Sequence, residues 1–167
     1  MTHSHKSLIA LLVGLFCLGC SSGSTPEAAL RNANRTNIQR LANFYSMYQV
    51  QNQFRGPADE STFKSFLAGV SSDVMESMGV KAADLEKLFI NERDNEPFLI
   101  KYGVASSPRG SKEPVVFEAK GKGGKRMVGF LNMVQREVED QEYEQLWNSN
   151  VASTAPARES RELGQFP

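Results

Sequence analysis

The sequence predicts an α+β domain in which a long N-terminal helix and several short helices precede a three- to four-stranded antiparallel sheet. Three observations predict it. Apolar residues recur at spacings of three and four between Leu30 and Tyr48, period-two alternation begins only after Pro97, and the reversal Gly121-Lys122-Gly123-Gly124 divides two apolar runs.

The first element is expected to begin at Thr25-Pro26-Glu27, where a hydroxyl can cap, proline suits the first helical position and the acid complements the helix dipole. Leu30, Asn34, Ile38, Leu41, Tyr45 and Tyr48 form its stripe, Ala42 and Phe44 widen it, and Gly56-Pro57 ends it. About thirty residues make roughly 45 Å of helix, more than a small sheet needs. The half from Leu41 onward is expected to pack on the sheet. The half with Glu27, Arg31, Asn32, Asn34, Arg35 and Asn37 is polar and reads as a solvated stalk.

Asp59 is the next cap, and Phe63, Phe66 and Leu67 mark a short helix closed by Gly69. Residues 71–79 and 82–89 read as two further helical turns. Phe98, Ile100, Tyr102 and Val104 then alternate with Leu99, Lys101 and Gly103 as a half-buried first strand. Residues 114–119 and 126–131 are expected to pair as an antiparallel hairpin, and residues 134–138 to extend the third strand or form a short fourth. Asp140 is expected to cap a last helical turn carrying Tyr143, Leu146 and Trp147. The tail over residues 149–167 has too little apolar content to fold by itself and is expected to be disordered.

Ahead of the domain, residues 1–6 supply positive charge and residues 8–19 an apolar run that ends in small residues, the layout of a cleaved signal peptide over residues 1–19. The run is shorter than the ~20 residues of a comfortable membrane span. Cys17-Leu18-Gly19-Cys20 resembles the bacterial lipobox, although Cys17 stands where leucine is usual. The resemblance implies lipidation, by palmitate among other chains, at Cys20. Ordinary secretory cleavage near Gly19 is the alternative. Residues 20–25 then form the lipidated cysteine and its Ser/Gly tether, and residues 26–148 the folded domain. Ser21, in place of Asp, resembles an outer-membrane sorting signal, which implies the bacterial cell envelope and an outer membrane facing the periplasm.

Processing would remove His3, His5 and Cys17, which leaves no histidine and one cysteine in the mature chain. A mature chain of that kind has no Ser-His-Asp triad, no Cys-His pair, no internal disulfide and no metal site built on His or Cys. No catalytic residue, cofactor or metal is expected. Lysine plus arginine and aspartate plus glutamate number 19 each, so no global charge draws the chain to nucleic acid.

Five constellations carry candidate chemistry. Gly121-Lys122-Gly123-Gly124-Lys125 has the glycines and lysine of a phosphate-binding loop, but Arg126 replaces the hydroxyl and a strand follows where a helix is needed. Residues 91–96 gather carboxylates and amides that suit calcium, without the spacing of an EF loop. A solvated turn is the alternative. Glu137, Glu139, Asp140, Glu142 and Glu144 are an acidic run in which nothing selects an acid and base pair, so a solvated helix start competes. Lys101, Lys120, Lys122, Lys125 and Arg126 form a basic patch or else guard a sheet edge. Phe44, Tyr45 and Tyr48 are core or a binding stripe.

Asn37-Ile38-Gln39-Arg40-Leu41 running to Phe54-Arg55-Gly56-Pro57, Arg93-Asp94-Asn95-Glu96-Pro97-Phe98, and Gly124-Lys125-Arg126-Met127-Val128 resemble three motifs of pilin-like secreted proteins abundant in planctomycete-type bacteria. The resemblance spans residues 37–144 and implies a pilin-like domain without catalytic residues. True pilins carry a glutamate at the fifth position after cleavage, and Gly14-Leu15-Phe16 is followed by none. The expected protein is therefore a membrane-anchored envelope lipoprotein with a non-catalytic, partner-docking domain; its partners are the membrane, through lipid, and a protein. The alternatives are a pseudopilin-like subunit of a secretion or filament system, and a carboxylate-based enzyme or small-ligand carrier.

Overall fold

The computed structural model describes residues 34–149. The signal peptide, Cys20, the tether, the first turns of the expected helix and all but the first residue of the tail lie outside the described residues.

The first described helix, α1, runs Asn37–Gln51, fifteen residues or about 22 Å. It does not continue back through Asn34. Thr36 is extended (φ −118°, ψ 155°), and its hydroxyl accepts from the Gln39 N–H in the manner of a helix cap. The solvated stalk is overturned at Asn34 as well, which is 7% exposed. Its Nδ2 donates to Met78 Sδ at 3.2 Å and its Oδ1 accepts from Asn43 Nδ2 at 3.1 Å. The helix also stops five residues short of Gly56, because Gln53 (φ 55°) and Phe54 (φ 62°) turn left-handed and Phe54 N–H closes on Gln49 O at 2.7 Å.

Short helices follow as expected. Asp59 caps α2 (Glu60–Ala68), its carboxylate accepting from Thr62 N–H at 2.7 Å. Then come α3 (Ser72–Ser77), a 3₁₀ turn (Ala82–Asp84) and α4 (Leu85–Leu88). Phe63 and Leu67 of α2, Met75 of α3 and Leu88 of α4 are buried under α1.

Four strands form an antiparallel meander in chain order: β1 (Leu99–Ile100), β2 (Pro114–Phe117), β3 (Lys125–Phe130) and β4 (Gln135–Glu139). The first is far shorter than the alternation predicts. Phe98, Ile100 and Val104 do point inward and Leu99 outward, but the chain turns at Tyr102-Gly103, where Gly103 adopts φ 73°. Residues 135–139 make a separate fourth strand, paired to β3 from Lys125↔Glu139 to Gly129↔Gln135. At Gly129 a side chain would begin 2.9 Å from Ile38 Cγ1, so only glycine lets α1 lie this close to β3.

The sheet is covered on both faces, which explains why every residue of β2 is buried. One face carries α1 and the short helices around Leu41, Phe44, Tyr45, Phe63 and Val116. The other carries α5 (Asp140–Asn148), which packs Tyr143, Leu146 and Trp147 on Phe117, Val128, Phe130 and Val138. That last element is nine residues rather than a single turn, and Asp140 lies inside it without a side-chain cap bond.

Candidate functional site

A groove of about 440 Å³ lies between the last turns of α1 and the α2–α3 corner. Three local features build it. Helix α1 presents Met47 and, one turn on, Gln51; α2 presents Ser65 and Phe66; the chain bends after α2, at Gly69, and Val70, Ser71 and Val74 form the far wall. Phe66 is held edge-on by Tyr48, with ring centroids 5.3 Å apart. None of the lining residues is charged. Val50, three residues beyond Met47 in α1, is 70% exposed. The lining sets a flexible methionine, an aromatic ring and two valines beside the polar Gln51, Ser65 and Ser71, a surface that suits an apolar side chain flanked by hydrogen-bonding groups.

The aromatic stripe is divided between two roles. Phe44 and Tyr45 are fully buried core, while Tyr48 is half-buried and supports the groove through Phe66. Tyr45 is also anchored through its polar end, where the hydroxyl donates to Lys101 O and accepts from Val104 N–H, both at 3.0 Å. Gln49 Nε2 donates to Val104 O at 2.7 Å. Together they pin the turn after β1 to α1. Burial is the main cause that pushes the Tyr45 phenol well above its ordinary range.

Residues 91–96 form a turn in which Glu92, Arg93 and Asn95 are exposed, as the solvated-turn reading expects, and Asn91 is buried. Asn91 Oδ1 accepts from Arg93 N–H at 3.1 Å, and Asp94 Oδ1 accepts from Glu96 N–H at 3.1 Å and from Asn91 Nδ2 at 2.9 Å. Those oxygens are engaged by the loop itself and do not converge as cation ligands. The loop instead serves Glu118, a fully buried carboxylate just past β2. Asn91 Nδ2 reaches Glu118 Oε1 at 2.6 Å, Met127 N–H reaches Oε2 at 2.7 Å, and Arg93 Nε stands 3.4 Å away. Arg93 also pairs with Glu137 at 2.9 Å, which ties the loop to β4. Sequence reasoning takes Glu118 for an ordinary strand residue and misses this cluster. A lone acid in the run Val115-Val116-Phe117-Glu118-Ala119 is the available signal, because burial there demands partners.

The acidic run is paired throughout, but only Lys125 and Arg126 of the basic patch meet it. Glu139 pairs with Lys125 at 3.1 Å, Asp140 and Glu144 with Arg126 at 2.9 and 3.3 Å, and Glu142 with Arg136 at 2.7 Å. Lys120 pairs with Glu96. These are exposed or half-exposed pairs worth little individually. The edge-guard reading is overturned for Lys125 and Arg126, since β3 is an inner strand. Lys101, at the end of β1, donates to the last carbonyls of α5, and burial lowers its ammonium pKa. The glycine reversal is a tight hairpin turn, with Gly123 and Gly124 at φ 63° and 77° and Lys122 bonded to Lys125.

Among the described residues no group of three His, Cys, Asp or Glu is placed to hold a metal ion, and no helix is long and apolar enough to cross a membrane. No known protein family, curated protein or solved structure matches the chain.

Proposed function

We propose that the chain is a lipid-anchored protein of the bacterial envelope, held at the outer membrane through Cys20, whose α+β domain docks a protein partner without catalysing a reaction. The observation that carries the docking reading is the uncharged groove beside Met47, Phe66 and Val70, on a surface otherwise rich in ion pairs. Its chemistry selects an apolar segment of the partner, anchored by one or two side chains. The anchor reading rests on the apolar run and Cys17-Leu18-Gly19-Cys20. A second reading is a pilin-like subunit, favoured by the way α1 lies on one face of the antiparallel meander.

Palmitate labelling in a bacterial host tests the anchor: wild type is expected to label and Cys20→Ser not to, and persistent labelling of that variant refutes it. A photo-crosslinker placed at Val50 is expected to give one discrete adduct, abolished by Val70→Glu. A crosslinker at Lys122, exposed in the turn between β2 and β3, is expected to give none. Equal adducts from both positions would refute docking at the groove.

A further inference from the structure

A second cavity, of about 170 Å³, lies at the other end of α1, bounded by Asn37, Arg40, Gly79, Lys81, Asp84 and Lys87 among others. Arg40 is the centre of it. Its side chain is 19% exposed, Nε donates to Met78 O at 3.0 Å, and NH1 donates to Asn37 Oδ1 at 2.8 Å. Asn37 is fixed in turn by Nδ2 bonds to Lys87 O and Ile90 O, each 3.0 Å. The guanidinium is thus oriented before any ligand arrives. Its NH2 has no acceptor among the described residues, and it faces Gly79, where a side chain would begin 3.1 Å away. Glycine, at φ 72°, leaves that edge of Arg40 open.

The surrounding charge favours an anion. Lys87 neutralises Asp84 at 2.7 Å, and Glu92 is turned to the Asn37 N–H at 2.8 Å while lying 3.9 Å from Arg40. Lys81 lines the cavity and has no ion pair among the described residues. Three cations against two carboxylates leave the cavity net positive.

We infer that this cavity binds a phosphate group. The pre-oriented NH2, with Nε and NH1 already engaged, is free to donate to a phosphate oxygen, and Lys81 supplies a mobile point charge for a second. The cavity is too small for a nucleotide and large enough for the phosphate of a lipid headgroup or for free phosphate. Residue 34 is fourteen positions beyond Cys20, at most about 50 Å of extended chain, so an anchored protein holds the cavity within reach of headgroups. Only the lipid source rests on the anchor; the phosphate chemistry does not.

The test uses the full chain carrying Cys20→Ser, without lipid, at low salt because screening weakens exposed charges. Resonances of Arg40 Nε–H and the Gly79 amide are followed while sodium phosphate is added, against sodium chloride at equal ionic strength. Saturable shifts at both are expected with phosphate alone. They should be lost in Lys81→Glu, an exposed change expected to leave the melting temperature unchanged, and the Gly79 amide shift should be lost in Arg40→Gln. Vesicles of phosphatidylcholine with phosphatidylglycerol that reproduce the shifts, where phosphatidylcholine alone does not, identify a headgroup as the source. A response to inorganic phosphate only identifies free phosphate. No shift with either probe, shifts equalled by chloride, or shifts undiminished in Lys81→Glu overturn the proposal. Palmitate labelling of wild type reports on the anchor separately.

Discussion

The two faces of the sheet are stabilised differently. Under α1 the core is broad: Leu41, Phe44, Tyr45, Phe63, Val115 and Val116 are each fully buried, and residues from four helices meet there. Under α5 it is narrow and aromatic: Phe117 receives Tyr143 and Trp147 edge-on, with centroids 5.3 and 5.0 Å away. Arg126 covers that cluster, its guanidinium 3.5 Å from the Tyr143 ring centre and within reach of Asp140 and Glu144. One face holds the fold together; the other is a nine-residue helix clipped on by few side chains. Stability is therefore expected to be unequal across the molecule, with α5 opening more readily than the helix-covered core.

The largest effect expected is at Leu41, which is fully buried against β2 and β3. Leu41→Asp places an unpaired charge there and should abolish the cooperative melting transition, whereas Leu41→Ala should cost about 2–5 kcal/mol. Circular dichroism decides it, and a folded Leu41→Asp would mean that the broad face is not the main core. Trp147→Ala should have a smaller effect, about 1–3 kcal/mol, because Trp147 is only partly buried. In that variant hydrogen exchange should quicken through α5 and remain slow in α1 and β2. Uniform quickening would show that the two faces unfold as one.

The smallest expected difference is in alkaline solution. Burial raises the phenol pKa of both Tyr45 and Tyr143, but Arg126 opposes the shift at Tyr143. In the unfolded chain both ionise near pH ~10. Their folded pKa values lie higher, so this stability is fully present below the unfolded value and is lost as pH rises toward the folded one. Tyr45→Phe should lower stability at neutral pH by about 1–3 kcal/mol, because Val104 N–H loses its acceptor. Above pH ~10 that variant should lose stability less steeply than wild type. Tyr143→Phe should flatten the alkaline slope less. Equal slopes for the two variants would remove this distinction between the faces.

Most of the element order was legible because it depends on local rules. The Asp59 cap, the three- and four-residue spacing from Ile38 to Tyr45, and the paired glycines at 123 and 124 each specify backbone geometry over a few residues. The start of α1 was misplaced because Thr36 stands inside a stretch that keeps helical spacing. Its hydroxyl caps the helix there, while Asn34 is drawn inward by Met78, 44 residues away. The short β1 was overestimated for a related reason: burial of alternate residues persists to Val104, but pairing with β2 ends near Lys101. The groove was legible only as loose apolar residues in separate segments.

What the sequence determined by itself was the α+β class, the antiparallel hairpin between β2 and β3, and the burial of the α1 stripe, since each follows from periodicity and turn chemistry within a short window. What only the tertiary structure decided was which charges meet. Glu118 is buried because Asn91 and Arg93 come to it from 27 and 25 residues away, and Arg40 is aimed into a cavity by Met78 and Asn37. The cost of a buried or oriented charge depends on partners that chain folding brings from elsewhere, and no local pattern records their distance.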